Sequence, residues 1–159
     1  MLGSEKAWLS EVTLMTESEQ LLAIEEIKQV KARYFRCMDT KDWPGFEAVF
    51  APNATVDYTP PGGNPADWST SGRTNIVAFV RKTVEPAITV HHGHMPEVEV
   101  TSPTAARAIF AMEDLIWWPE GSRRKSLHGW GHYHETYERI DGKWLIKSLR
   151  LTRLRVDQT

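Results

Sequence analysis

The chain has 159 residues, about one ordinary domain, and its 19 Lys and Arg against 21 Asp and Glu leave a formal charge of −2. That balance excludes a basic, phosphate-tracking nucleic-acid binder as the default reading. With 41% hydrophobic and 25% charged residues, and no run near the roughly 20 apolar residues that span a bilayer, the sequence reads as a globular chain rather than a disordered or membrane one.

The lone Cys37 cannot build an internal disulfide and suits a reducing compartment. Residues 1–16 carry Glu5 and Glu11 and lack a continuous apolar core, so no secretory leader is expected and a cytoplasmic location is. They read as an extension before a domain over 17–159, with Met15 a candidate alternative start.

From Ser18 to Thr40, Ile24, Ile27, Val30, Tyr34 and Met38 recur at three and four, and Thr16 with Glu19 forms a capping box. This predicts a long amphipathic helix. Asp42 caps a short second helix whose apolar face is Phe46, Val49 and Phe50, ended by Pro52 and Asn53. Ala54 to Tyr58 alternates as a short strand, and the Pro- and Gly-rich stretch from Thr59 to Gly72 reads as a loop or lid. Arg73 to Glu85 carries Ile76, Phe79, Val80 and Val84 at helical spacing, and Pro86 stops it.

Beyond Pro86 the period changes to that of strands. Thr89 to Val100 is extended chain broken near Gly93 and Pro96, and Ala105 to Trp118 is a long strand. After a basic turn with Arg123, Arg124 and Lys125, read as solvated, Leu127 to Ile140 and Lys143 to Val156 form a hairpin closed by Asp141 and Gly142. Helices first and long antiparallel strands last predict an α+β domain in which a curved sheet packs on N-terminal helices and can wrap a pocket.

An unbroken hairpin register opposes Ile140 to Lys143, Tyr137 to Ile146, Glu135 to Ser148 and Tyr133 to Arg150. One face would then carry Tyr133, Glu135, Tyr137, Trp144, Ile146, Ser148 and Arg150 and would suit a ligand. The other would carry Trp130, His132, His134, Thr136, Lys147, Leu149 and Leu151. It reads either as a subunit contact, giving a homodimer or higher homo-oligomer, or as a half-exposed face with scattered aromatics.

Several pieces match a known pattern: Tyr34 and Asp39 late in the first helix, "DW" opening the second, "GR" opening the third, "VHHGH" on a strand and "YERIDGKW" near the end. Together they resemble the SnoaL-like branch of the nuclear transport factor two-like superfamily, over about Leu21 to Arg155. The resemblance implies a cone-shaped barrel of strongly curved, mixed but mainly antiparallel sheet, with an apolar pocket between sheet and helices. Members include dehydratases, isomerases, a dehydrochlorinase, polyketide cyclases and non-catalytic proteins, so fold alone does not assign an activity. Those resembling scytalone dehydratase, bile-acid dehydratase and the dehydrochlorinase use a His and Asp pair, which would fall on His91 and Asp39, with Tyr34 as the dehydratases' helix Tyr. A basic residue follows the last-strand Trp in these relatives; the plain alignment gives Leu149 there with Arg150 beside it, and the unbroken register favours Arg150.

As chemistry, an imidazole near neutrality is a natural base for a proton next to a carbonyl, and a buried carboxylate fixes its tautomer. His91 would be that base and Asp39 its orienter, unless Asp39 only caps the turn into Lys41 and Asp42. Tyr34 would steady an enolate oxygen or simply pack. Tyr133, Asp114 and Met112, the last two sharing strand parity, are candidate substrate contacts, and Tyr58, Phe79, Trp117 and Trp144 are candidate pocket walls or plain core. His92 and His94 with His132 and His134 could form a two-by-two imidazole set, but surface or interface histidines are the better reading, and neither metal nor cofactor is expected. The leading expectation is a cofactor-independent dehydratase for a small, cyclic, apolar substrate such as a polyketide or steroid-like ring. An isomerase or polyketide cyclase needs nearly the same parts; a non-catalytic binding or dimerisation module is the rival, favoured if Asp39 and His91 lie further apart than a water-bridged hydrogen bond.

Overall fold

The computed structural model describes residues 15–159. The expected extension therefore lies outside the described residues for all but Met15 and Thr16. Helix α1 (Glu17–Asp39) opens on Thr16, whose hydroxyl accepts from Glu19 N at 3.2 Å while the Glu19 carboxylate accepts from Thr16 N at 2.7 Å. Ile27, Val30, Tyr34 and Met38 are buried as the spacing predicts, but Ile24 is only half-buried. Lys31, which no apolar period would nominate, is buried in the same stripe.

Helix α2 (Trp43–Glu47) is capped by Asp42, whose Oδ1 accepts from Gly45 N at 3.0 Å. It is shorter than expected. Phe50 opens strand β1 (Phe50–Asp57), so Pro52 and Asn53 lie inside a strand rather than ending a helix. The physical reason is local: β1 slips register against its neighbour between Phe50 and Thr55, and a proline without an N–H is tolerated where the ladder is interrupted. The expected loop from Thr59 to Gly72 contains a short helix α3 (Pro65–Trp68) and strand β2 (Ser69–Ser71), both too brief to show a period.

Helix α4 (Arg73–Val84) is followed by strands β3 (Ile88–Ser102), β4 (Ala105–Trp117), β5 (Ser126–Ile140) and β6 (Lys143–Gln158). The sheet order is β2-β1-β6-β5-β4-β3, with β1 and β6 parallel and every other pair antiparallel. The architecture is thus α+β, with the helices packed on a mixed, mainly antiparallel six-stranded sheet. β3 slips register between Gly93 and Pro96, where the sequence predicts a break. Among the described residues no helix is long and apolar enough to cross a membrane.

The β5–β6 hairpin begins as predicted, with Ile140 opposite Lys143 and Tyr137 opposite Ile146, and Asp141 and Gly142 at positive φ (48° and 78°). It then departs. A bulge between Thr136 and Tyr137 leaves Lys147 without a partner, so Ser148 opposes Thr136, Leu149 opposes Glu135 and Arg150 opposes His134. One extra residue reverses every later side chain. Leu149 and Leu151 turn inward to 2% and 6% exposure, while Ser148 and Arg150 turn out. Arg150 therefore does not face the pocket: its side chain is 70% exposed and its Nε lies 3.9 Å from Asp57 on the outer side. The outer face keeps Trp130, His132, His134 and Thr136 but loses the two leucines expected there. A second slip, between Trp130 and Gly131, pairs Gly131 with Arg153 and Trp130 with Arg155.

Candidate active site

Asp39 is the last residue of α1, where the helix dipole disfavours a carboxylate. What holds it there is β3. Asp39 Oδ1 lies 2.6 Å from His91 Nδ1 and accepts from Thr89 Oγ1 at 2.8 Å, while Oδ2 accepts from the His91 backbone N–H at 2.9 Å. Thr89 and His91 are two apart on a strand and so point the same way. The Thr89 hydroxyl in turn accepts from Lys41 Nζ at 3.0 Å. Asp39 therefore does not cap its own helix turn; it binds the neighbouring strand. With Nδ1 engaged by the carboxylate, Nε2 is the ring nitrogen left to the pocket that His91 lines. The Phe35 ring lies nearly parallel to the imidazole, 6.3 Å away at 11°, and helps fix its plane.

A pocket of about 130 Å³ lies between α1, α4 and the sheet. It is lined by Tyr34, Tyr58, Phe79, His91, Asp114 and Tyr133 of the sequence-expected set. Trp68, Ile116, Leu151 and Arg153 also line it. The Tyr34 and Tyr58 hydroxyls are 3.0 Å apart, so one hydrogen joins them and the other is free for a ligand. Burial pushes both phenols above their ordinary range, and Tyr133 likewise.

Arg153 forms a two-pronged pair with Asp114, Nη1 to Oδ1 and Nη2 to Oδ2, each 2.6 Å. Burial opposes the guanidinium charge and the Asp114 carboxylate more than restores it, so the Arg153 pKa is raised. Room for this pair comes from Gly129 on β5, where a Cβ would stand 2.0 Å from Arg153 Nη1 and 2.3 Å from Asp114 Oδ1. Arg153, rather than Arg150, is the basic residue that the strand delivers to the pocket.

Three other expectations need correction. Trp117 is 43% exposed, because the inward parity of β4 runs through Met112, Asp114 and Ile116, and Ile116 takes the wall position. Trp144 is core, beside the Arg139 guanidinium and away from the pocket lining. Met112 does share its face with Asp114 but is buried behind the pocket, its sulfur 4.0 Å from Arg153 Nη1. Sequence reasoning missed Arg153 because the two bulges are invisible to an alternation count. A signal existed: Gly129 and Gly131 occupy consecutive inward positions of β5, two absent side chains that invite a long one from the next strand.

The histidines outside the dyad do not assemble as the two-by-two set. Glu113 accepts His128 Nε2 at 2.6 Å with His92 Nδ1 3.6 Å away, His132 sits beside His134, and among the described residues no three His, Cys, Asp or Glu side chains are placed to hold a metal. A larger hollow of about 750 Å³ lies along the outer side of the sheet among Glu97, Glu99, Arg107, His134, Thr136 and Arg150. It is remote from the dyad.

The SnoaL-like domain family matches residues 19–150 of this chain. The chain belongs to that family. A relative from Gibberella zeae named "Probable cyclase FGR4" is 30% identical over 145 residues, covering 88% of this chain and 95% of its own. Among solved structures, the scytalone-dehydratase-like protein of Novosphingobium aromaticivorans superposes with a TM-score of 0.76 at 18% identity, covering 91% of this chain and 92% of that one. The LinA-type3 hexachlorocyclohexane dehydrochlorinase of Novosphingobium barchaimii gives 0.76 at 18%, covering 91% and 94%. These likenesses establish the nuclear transport factor two-like fold expected from the motifs.

Two outcomes follow from this SnoaL-like site. Gly129→Ala forces the Arg153–Asp114 pair aside and should destabilise the protein by about 1–3 kcal/mol in urea unfolding. The loss should shrink once Asp114 and Arg153 are both replaced by Ala, since the atoms that the new methyl would strike are then absent. Burial also raises Tyr137, so all four tyrosines have phenols above the ordinary 10.0. A raised phenol contributes stability that is fully present below pH 10 and lost as pH climbs towards the folded pKa. Alkaline titration should therefore show no tyrosinate absorbance at pH 10, and its appearance above that pH should coincide with loss of circular dichroism.

Proposed function

We propose that the protein is a cofactor-independent lyase, a dehydratase, in which His91 removes a proton from the carbon next to a carbonyl of a small, cyclic, apolar substrate. The observation that carries this reading is the direct 2.6 Å contact of His91 Nδ1 with Asp39, in a histidine that lines an aromatic pocket. The contact also docks α1 on β3, but it leaves Nε2 of an oriented imidazole facing an aromatic pocket, which is the placement a general base needs and supports the catalytic reading.

The proton balance closes within protein and substrate. His91 Nε2 takes the proton, and the electrons of the broken C–H bond move onto the carbonyl oxygen, which as an oxyanion accepts a hydrogen bond from the free hydroxyl of the Tyr34–Tyr58 pair. The enolate then expels the hydroxyl one carbon further on, and the His91 imidazolium returns its proton to the departing oxygen as water. Asp39 steadies the imidazolium, and Arg153 with Asp114 bounds another part of the pocket. A dry cavity of ~150 Å³ accepts benzene, so the ≈ 130 Å³ here suits about one ring of substrate within the pocket.

A second reading is favoured by the 30% identical relative, whose name is that of a cyclase. The same enolate carbon would attack a second carbonyl of the substrate, forming a C–C bond, and His91 would protonate the resulting alkoxide. The two readings part at the product: dehydration loses water, cyclisation preserves mass.

The test is turnover of cyclic β-hydroxy ketones and thioesters, followed by enone absorbance, and of linear polyketone analogues, followed by product mass. His91→Ala should abolish turnover while leaving the fold and ligand affinity intact; unchanged turnover would refute the proposal. Asp39→Asn should lower kcat by about 10²–10⁴-fold and alter the pH profile, since it loses the tautomer control. Arg150→Gln should leave kcat unchanged, whereas Arg153→Gln should lower it, which separates the two arginines by function as the register separates them in space.

A further inference from the structure

Behind the pocket lies a charge pair that the proposed reaction does not use. Lys31 of α1 and Glu135 of β5 have side-chain exposures of 1% and 0%, and Lys31 Nζ is 2.5 Å from Glu135 Oε1. The other carboxylate oxygen, Oε2, accepts from the Tyr137 hydroxyl. Replacing a buried ion pair by well-packed apolar residues is often neutral or stabilising, so stability alone does not account for this one. Its position does. Lys31 Nζ lies 3.5 Å from the ring centroid of Tyr133 and 3.9 Å from that of Tyr34, two phenols that line the pocket. The rings are 5.9 Å apart, with the ammonium against both.

We propose that Lys31, anchored by Glu135, is a positioning residue that polarises the Tyr34 and Tyr133 rings from behind and so strengthens the hydroxyl donor that Tyr34, paired with Tyr58, offers the substrate oxygen. A cation on a ring face draws density from the phenol and favours any transfer of negative charge towards it. The Glu135 carboxylate acts the other way, so the benefit exists only while Lys31 keeps its proton. The proposal rests on the enolate reading above for its catalytic meaning, but its electrostatic content stands apart from any substrate.

The groups facing the ammonium are few. Tyr34 comes from α1, with Lys28 one turn before; Glu135, Tyr133 and Tyr137 come from β5; and His94 of β3 borders the hollow that Lys28 and Lys31 share. Phe35 and Phe110 complete the box without charge. Burial lowers the Lys31 pKa to about 8, with Glu135 opposing the fall, which puts its deprotonation within reach of a folded protein.

The first experiment needs no substrate. Tyrosine labelled with ¹³C at Cζ is followed from pH 6 to 10 in the His91→Gln background, so that the dyad imidazole does not contribute, with Tyr34 and Tyr133 assigned by Tyr→Phe variants. The two signals should move together in one step near pH 8, vanish as a step in Lys31→Met, and shift to beyond pH 10 in Lys31→Arg. Tyr34 and Tyr133 signals at the same positions in wild type and Lys31→Met at pH 7, or the same step in Lys31→Met, would overturn the proposal. If Lys31→Met does not fold, the paired Lys31→Met/Glu135→Leu replacement removes both charges at once and should give the flat profile. The second experiment uses whichever substrate the turnover screen identifies. There kcat should fall about 10–100-fold in Lys31→Met with KM nearly unchanged, and Lys31→Arg should restore most of it and move the alkaline limb upward. A wild-type kcat in Lys31→Met overturns the positioning role; absence of turnover in the wild type counts against the enzymatic reading alone, and the labelled spectra still decide the electrostatic one.

Discussion

The Asp39 carboxylate ties the end of α1 to β3, and most of what makes a pocket here depends on that tie. Three groups of β3 meet it: the Thr89 hydroxyl, the His91 amide and the His91 ring. A carboxylate at a helix C-terminus is unfavourable by ~0.3–1 kcal/mol on its own, and charge-assisted hydrogen bonds of ~1.5–3 kcal/mol each outweigh that. The tie serves two purposes at once. It closes one end of the space between helix and sheet, and it fixes which imidazole nitrogen carries the hydrogen. Orientation of the candidate base is thus a by-product of the same contact that docks the helix.

How much of this could be read from the sequence depended on whether the signal was periodic. α1, α4 and the hairpin turn announced themselves through spacing and caps, and the SnoaL-like motifs carried Asp39 and His91 to the right elements. What escaped was set by single residues that break a period. Lys147 shifts the pairing of β5 and β6 by one, and with that Arg150 leaves the pocket side and Leu149 and Leu151 enter it. Alternation rules propagate a register without limit, while a bulge costs the backbone little and leaves no compositional trace. Phe50 failed for a related reason: helix and strand patterns are indistinguishable over three or four apolar residues, and Pro52 resembled a helix stop when it was marking an interrupted ladder.

Lys31 escaped by a different route. A count of apolar residues treats lysine as a surface residue, and almost always correctly. Here the partner that makes its burial tolerable, Glu135, is distant in sequence and lies on a strand between two inward tyrosines, Tyr133 and Tyr137. Only the three-dimensional neighbourhood of Tyr34, Phe35 and Tyr133 makes an ammonium reasonable there, because ring faces solvate a cation without competing for its hydrogen bond to the carboxylate.

Every charge near the pocket belongs to a pair. Arg153 answers Asp114 and Lys31 answers Glu135, while a protonated His91 would answer Asp39. A site built to capture an anion would leave a guanidinium or ammonium free to greet it, and the two-pronged geometry at Asp114 denies Arg153 that role. A charged ligand would also need to displace a partner and leave it buried alone, at a cost of several kcal/mol. The arrangement therefore suits a substrate that arrives neutral and becomes charged only as it reacts, when the paired dipoles are already in place and nothing has to reorganise. That is what the proposed carbon-acid reaction would require of a small aromatic pocket, and here the many interior ionisable groups leave little net charge.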